Sequence, residues 1–306
     1  MKFKNQVFHH EKNFYKNSNQ LRSFFEDQFE DPRQTQSKRF VWDYWHVKNQ
    51  YCQVRTPAYH YFPEKIYYPF HERLVKWGRE NLGCHDVSPP WLSYYVHGHY
   101  QNLHSDMPHG PWAFVYSLSP KKRKFEGGQT LLLKDSVLNF WSSAGANRAE
   151  HEMSEYFHEV NPDYGQLLIF DSRIPHAVKE VRNILDPLDA RLVIHGWFVE
   201  PRPYVVGGLK TNQVAKVMDQ WLPLLQDWLY DQPALHGCLT VKMRISVSGQ
   251  VTSLDFQTDT VRQVQTNLNI EINKNRFWNS VRKSLLNLKF PKSSKTSQVV
   301  IPLLFK

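Results

Sequence analysis

The sequence predicts a mainly β protein with flanking helices, followed by a small α+β module. Three observations carry this expectation. Between Trp91 and Val199 the apolar runs are short and broken by turn residues, as in a sandwich or barrel of many short strands. The N-terminal third instead contains a helical apolar spacing. After Gln232-Pro233 a strictly alternating run opens a different pattern.

Taken in order, the segment to about Arg39 is polar with isolated aromatics and reads as helix and loop. Pro63 suits the first turn of a helix. Phe70, Leu74 and Trp77 then recur at i, i+4 and i+7, until Asn81-Leu82-Gly83 supplies a stop. Pro89-Pro90 precedes a strand over 91–96, and further strands are predicted over 112–118, 130–133, 167–171 and 191–199. Gly207-Gly208 marks a break. Val214, Met218, Trp221, Leu225 and Trp228 follow helical spacing, so a linker helix is expected over 207–233. Leu239, Val241, Met243, Ile245 and Val247 alternate with other residues as in a half-buried strand, and Ser248-Gly249 makes a hairpin turn into a strand over 251–256. Phe277, Val281, Leu285 and Leu288 trace a helix stripe before a closing strand over 299–305. The expected organisation is a first domain over 1–206 with its core at 91–199, the linker helix, and a β-β-α-β module over 234–306.

Composition bounds the function. Of 306 residues 41% are hydrophobic and 22% charged, which fits a folded chain rather than a disordered one. No apolar run is long enough for a transmembrane helix, so no membrane association is expected. Met1 to Tyr15 lacks the apolar stretch of a secretory signal, and Cys52, Cys84 and Cys238 form neither a disulfide framework nor a zinc motif. A cytoplasmic protein is expected. The net charge of +9 is unevenly placed: residues 234–306 hold 11 Lys+Arg against 3 Asp+Glu, while the rest of the chain is nearly neutral. A basic tail module implies an acidic partner or plain solvation. Aromatics suited to base stacking are scarce there, so nucleic acid ranks low among partners.

His104-Ser105-Asp106 sets an imidazole and a carboxylate two positions apart, and in extended chain both project to one side. A second imidazole at His176 would complete two histidines and one carboxylate, leaving adjacent open positions on octahedral iron. A closed structural zinc site would need four protein ligands. Standing alone, the His-x-Asp tripeptide is a weak signal.

Its company is stronger. In order along the chain come Tyr94-Tyr95-Val96-His97-Gly98, His104-Ser105-Asp106, Phe114-Val115-Tyr116-Ser117-Leu118, Phe125-Glu126-Gly127-Gly128-Gln129-Thr130, the run from Gly165 to Asp171, Ile174-Pro175-His176-Ala177-Val178, and the run from Arg191 to Phe198. With these segments the chain resembles the prolyl-4-hydroxylase-like branch of the 2-oxoglutarate- and iron(II)-dependent dioxygenases over about a third of its length. The resemblance implies a double-stranded β-helix (jelly roll) with the metal at its open end. It implies His104, Asp106 and His176 as metal ligands, and Fe(II), 2-oxoglutarate and O2 as cofactors, with ascorbate as an accessory reductant. Arg191 falls at the family's anchor for the distal carboxylate of 2-oxoglutarate, a role a planar guanidinium fork suits. Its separation from His176 is wider than usual, and an enlarged hairpin loop near Asp186-Pro187 accounts for the excess. On a strand, Arg191, Val193, His195 and Trp197 would face one way. Tyr116, His195 and Tyr95 fall where relatives line the cofactor pocket, Gly127-Gly128 would permit a tight turn, and His109 is placed to support a ligand. The intact Asp106 favours hydroxylation, since related halogenases lack this carboxylate.

The tail module resembles, more loosely, the C-terminal domain of TonB-type proteins, through Ser248-Gly249-Gln250-Val251, Leu288-Lys289-Phe290-Pro291 and Val300-Ile301-Pro302-Leu303-Leu304-Phe305. That resemblance implies a small sheet whose edge accepts a peptide strand. Lys121-Lys122-Arg123-Lys124 reads as a solvated hairpin or a second contact for an acidic substrate. The expected function is hydroxylation of a peptide or protein side chain, with the substrate, acidic in character, recruited in part by the basic module. The alternatives are the same chemistry on a free amino acid or small metabolite, and a non-catalytic β-sandwich that binds a partner.

Overall fold

The computed structural model describes residues 8–28, 41–134, 156–230, 233–263 and 273–305. The chain divides into two compact units, His9–Arg73 with Val87–Trp197, and Leu74–Asp86 with Phe198–Lys306.

Twelve strands precede the tail: β1 (Phe8–Glu11), β2 (Asp43–Val47), β3 (Tyr51–Pro57), β4 (Cys84–Val87), β5 (Trp91–Tyr95), β6 (Tyr100–His104), β7 (Trp112–Ser117), β8 (Thr130–Leu133), β9 (Phe157–Val160), β10 (Leu167–Asp171), β11 (His176–Val178) and β12 (Arg191–Pro201). The helices among them are α1 (Ser18–Asp27), α2 (Ala58–Tyr61) and α3 (Glu64–Leu82). The strands form a curled antiparallel sheet of jelly-roll type, in the order β1-β10-β7-β12-β5-β3-β6-β11-β8-β9, with β2 added beside β3 and β4 beside β12. The mainly β class expected from the sequence is therefore what the chain adopts.

The faces of β7 show how this sheet sorts its residues. Strand side chains alternate, so one set points to the helices and the other into the curl. Tyr116 packs against Phe70 of α3 at 4.8 Å between ring centroids and against Phe14 at 6.0 Å, while Ala113 and Val115 line the inner cavity. On α1, Leu21 and Phe25 are buried, and Arg22 is buried with them because it donates to the Leu118 carbonyl at 3.0 Å. The hairpin of β2 and β3, which lacks a strong sequence signal, joins the sheet through Val54↔Tyr94 and Arg55↔Ser93.

In the tail unit β13 (Tyr204–Val206), β14 (Leu235–Ile245), β15 (Val251–Asp259), β16 (Arg262–Gln263) and β17 (Ser297–Phe305) form a second sheet, ordered β13-β17-β14-β15 with β16 beside β14. Two helices accompany it, α4 (Thr211–Tyr230) and α5 (Lys274–Leu286). The Ser248-Gly249 turn closes on itself through Ser246 N–H to the Gln250 carbonyl at 2.8 Å. Helix α4, expected as a linker, is part of this unit's core. Its stripe of Val214, Met218, Trp221 and Leu225 is buried with Leu239, Val241 and Val281, and Trp221 Nε1–H donates to Ser284 Oγ at 3.0 Å. An apolar stripe on a helix needs a partner surface, and here the nearest one is the new sheet.

Candidate metal centre and active site

His104 closes β6 and His176 opens β11. These strands are antiparallel neighbours with His176 opposite His104 in register, which brings the two rings to 4.2 Å between centroids. Asp106 follows in the loop, fixed by its backbone N–H to the Ser172 carbonyl at 2.9 Å. Its Oδ2 lies 3.3 Å from His176 Nε2 and its Oδ1 3.6 Å from His104 Nε2. One ligand atom from each of the three residues falls within 4.8 Å of the others.

The histidine tautomers suit a metal. His104 Nδ1 lies 2.8 Å from the Asn102 carbonyl and His176 Nδ1 lies 2.9 Å from the Ile174 carbonyl. A carbonyl only accepts, so each Nδ1 carries the proton and each Nε2 presents its lone pair to the shared point. Burial, with His176 beside it, pushes the His104 pKa down. Burial would raise the Asp106 carboxyl, but the imidazoles beside it, His176 foremost and then His104 and His195, hold it below its ordinary value. Trp197 Nε1–H donates to Asp106 Oδ2 at 3.2 Å, and the Trp197 ring lies on His109 at 4.4 Å. A carboxylate, two imidazoles whose Nε2 atoms face one point, and an orienting donor make a donor set that fits Fe(II).

Behind the triad runs a cavity of about 350 Å³, walled by Val115, Phe170 and Val193 among others and ending on Arg191. Arg191 is fully buried. Its Nε–H donates to the Gly128 carbonyl at 2.8 Å, Nη2 donates to Thr130 Oγ1 at 3.4 Å, and the guanidinium lies 4.5 Å over the Tyr95 ring. Nη1 is buried without an acceptor. A buried cationic donor left unpaired is costly, so this atom marks a place for an anionic oxygen. A dicarboxylate such as 2-oxoglutarate fits the arrangement. Gly127 and Gly128 make it sterically feasible: both have positive φ (+74° and +71°), and a Cβ on Gly127 would stand 1.8 Å from the Glu180 carbonyl oxygen.

Of the residues expected to line the cofactor pocket, Tyr95 and His195 lie on the wall of this cavity. His195 Nε2 lies 2.8 Å from Ser93 Oγ, and burial pushes its pKa down to about 3, so it is neutral. Tyr116 does not line the cavity. Its hydroxyl meets Ser18 Oγ at 2.5 Å among the helices, because alternation along β7 turns it away from Val115. Thr130, Gln101 and Trp197 are the contributors that sequence reasoning passed over as functional residues. Gln101 Nε2–H reaches His104 Nε2 at 3.1 Å, and its Oε1 accepts from the Tyr95 hydroxyl at 3.4 Å. In the basic 121–124 loop, Arg123 donates to Asn161 Oδ1 at 2.9 Å and Lys124 pairs with Asp189 at 3.0 Å.

Residues 90–199, which contain the triad and Arg191, match the 2OG-Fe(II) oxygenase superfamily. That match covers 110 of the chain's 306 residues. The chain therefore carries a 2-oxoglutarate- and iron(II)-dependent dioxygenase, with Fe(II), 2-oxoglutarate and O2 as its cofactors. Solved structures similar to the chain include a prolyl-4-hydroxylase of Pseudomonas putida, 15% identical over 64% of this chain and 94% of that one, with a TM-score of 0.43. They also include a prolyl hydroxylase of Trichoplax adhaerens in complex with a hypoxia-inducible-factor peptide fragment, at 16% identity, 64% and 84% coverage and a TM-score of 0.43. A third is the viral collagen prolyl hydroxylase of Paramecium bursaria Chlorella virus-1, at 10% identity, 63% and 96% coverage and a TM-score of 0.40. No curated protein matches the chain. Among the described residues of the oxygenase and its tail unit, no helix is long and apolar enough to cross a membrane.

Proposed function

We propose that His104, Asp106 and His176 hold the iron, that Arg191 with Thr130 binds the distal carboxylate of 2-oxoglutarate, and that the enzyme hydroxylates a side chain of a peptide or protein. The observation that carries this reading is the pairing of two features in one cavity. Three ligand atoms lie within 4.8 Å of one another, and Nη1 of the buried Arg191 has no protein acceptor. Iron and 2-oxoglutarate, when bound, supply oxidative decarboxylation coupled to insertion of one oxygen atom into a substrate C–H bond.

The chain's own residues do the rest. Arg191 offers a planar fork whose remaining edge is prepaid by the Gly128 carbonyl and the Thr130 hydroxyl, so the carboxylate meets a fixed partner. Trp197 holds the Asp106 carboxylate in one orientation. With that position filled by a carboxylate, hydroxylation is favoured over halogenation. Val115, Phe170 and Val193 keep the cavity wall apolar and limit water near the reacting centre.

The mouth supports a large substrate. Leu103 and Trp45 line the cavity and are 49% and 36% exposed, and Met107, next to Asp106, is 65% exposed. Large apolar side chains left in water beside a cavity suit a partner that covers them. The tail module, with its basic surplus, would recruit an acidic segment of such a partner. A cavity of about 350 Å³ also accommodates a free amino acid or small metabolite, which is the second reading. The test is iron-dependent succinate release from 2-oxoglutarate by the full chain, with mass spectrometry of peptides for a gain of one oxygen. Succinate release that needs iron and is lost in His104→Ala and Asp106→Ala is expected. Iron-independent release, or release kept in both variants, would overturn the assignment.

A further inference from the structure

The β2–β3 hairpin brings a second guanidinium to the cavity that Arg191 closes. Arg55 lies on the cavity wall with its guanidinium between two indoles, 3.1 Å from the Trp45 ring centroid and 3.9 Å from that of Trp91. Stacking satisfies the two faces of a guanidinium and leaves its edge, where all five N–H donors lie. Part of that edge is unspent. Nε is buried without an acceptor. Asp43, its register partner on β2, acts on it only as a more distant charge.

Two positions earlier on the same strand, and so on the same face, Gln53 also lines the cavity. It is 3% exposed, and its amide oxygen is buried without a donor. An unpaired donor and an unpaired acceptor side by side in one cavity describe a complementary ligand, one that presents an anionic oxygen pair and an N–H. Neither is needed for 2-oxoglutarate under the reading given above, because Arg191 takes one end of that molecule and the metal the other. In register, Arg55 stands opposite Ser93 and Arg191 opposite Tyr95, so about 7 Å of strand separates the two levels.

We propose that Arg55 and Gln53 form the subsite for the substrate that is oxidised: Arg55 binds a side-chain carboxylate of an acidic peptide and Gln53 accepts from a neighbouring peptide N–H. The inference deepens the proposed function and rests on Arg191, not Arg55, serving 2-oxoglutarate. Trp45 and Trp91 hold the guanidinium between their rings, 3.1 Å and 3.9 Å from the centroids, so its fork is offered to a carboxylate from a fixed place. A Lys at this position would keep the charge and lose the fork.

The test is binding rather than turnover. The full chain is loaded with Mn(II) and 2-oxoglutarate, and two fluorescein-labelled degenerate peptide pools are titrated by anisotropy. One pool carries Asp or Glu at a central position and the other Asn or Gln there, with neutral residues elsewhere. Wild type is expected to bind the acidic pool about 10-fold more tightly or better, the scale of one charge-assisted paired contact. Arg55→Gln should bring the two pools within about twofold of each other, and Arg55→Lys, which also covers a failure of the first variant to fold, should give an intermediate ratio. Equal binding of the pools by wild type, no binding of either, or a preference kept intact in Arg55→Gln would overturn the proposal. The last outcome would assign the preference to the basic tail module instead. Because the assay needs no catalysis, its failure beside intact iron-dependent succinate release counts against Arg55 alone.

Discussion

Each side chain at the centre does its work through one or two measurable contacts. Arg191→Lys removes the fork and its bonds to Gly128 and Thr130 while keeping a charge. The expected result is a KM for 2-oxoglutarate raised about 10-fold or more, with a smaller change in kcat, read from succinate release. Trp197 is a positioning residue, since it acts through Asp106. Trp197→Phe should lower metal affinity about 10-fold, measured by titration of the metal-free protein with Mn(II) or Fe(II). These roles were unequally legible. His104, Asp106, His176 and Arg191 stand in a recognisable order, and the strand alternation that groups Arg191 with His195 and Trp197 follows from spacing alone. Tyr116 misled because its place in the motif order says nothing about which face of β7 it occupies. Arg55 carried no signal at all: a lone arginine becomes a binding residue only once two tryptophans from β2 and β5 close around it.

Backbone geometry is decided at the scale of the elements. The Gly127-Gly128 turn passes so close to Glu180 that a Cβ on Gly127 would stand 1.8 Å from a carbonyl oxygen. Gly127→Ala should therefore destabilise the chain by about 2 kcal/mol or more, measured by urea unfolding, and weaken 2-oxoglutarate binding because Gly128 carries the Arg191 contact. Helix α4 shows the opposite case, in which sequence periodicity found the element but not its partner. Its apolar stripe was plain, yet only the placement of the second sheet shows that the stripe is buried there. Removal of residues 234–306 would strip that cover from α4, so the tail is expected to fold only with α4 attached. A shortened chain ending near 233 should bind a hydrophobic dye that the full chain does not.

Across the whole molecule, a half-buried neutral histidine ties stability to pH. His195 has its pKa pushed from 6.5 to about 3 by burial. In that window the unfolded chain binds the proton and the folded chain does not, so this group's contribution is present above pH 6.5 and is lost as pH falls toward 3. Metal-free wild type should lose stability over that interval in urea melts at pH 7, 5 and 4. His195→Gln, which takes no proton there, should lose less.

The sequence by itself determined the mainly β class, the order of the strands that carry the motif, the metal-ligand candidates and the basic character of the tail. These depend on local alternation, on spacing along one chain and on charge, all of which a linear string contains. The tertiary structure decided the rest: that His176 stands opposite His104, that Tyr116 faces the helices, that α4 belongs to the tail core, and that Arg55 and Gln53 reach the cavity with unspent polar atoms. The physical reason is common to all four. Each depends on which surfaces meet when distant strands pair, and that is settled by packing and register across the sheet, not by any residue's neighbours in sequence.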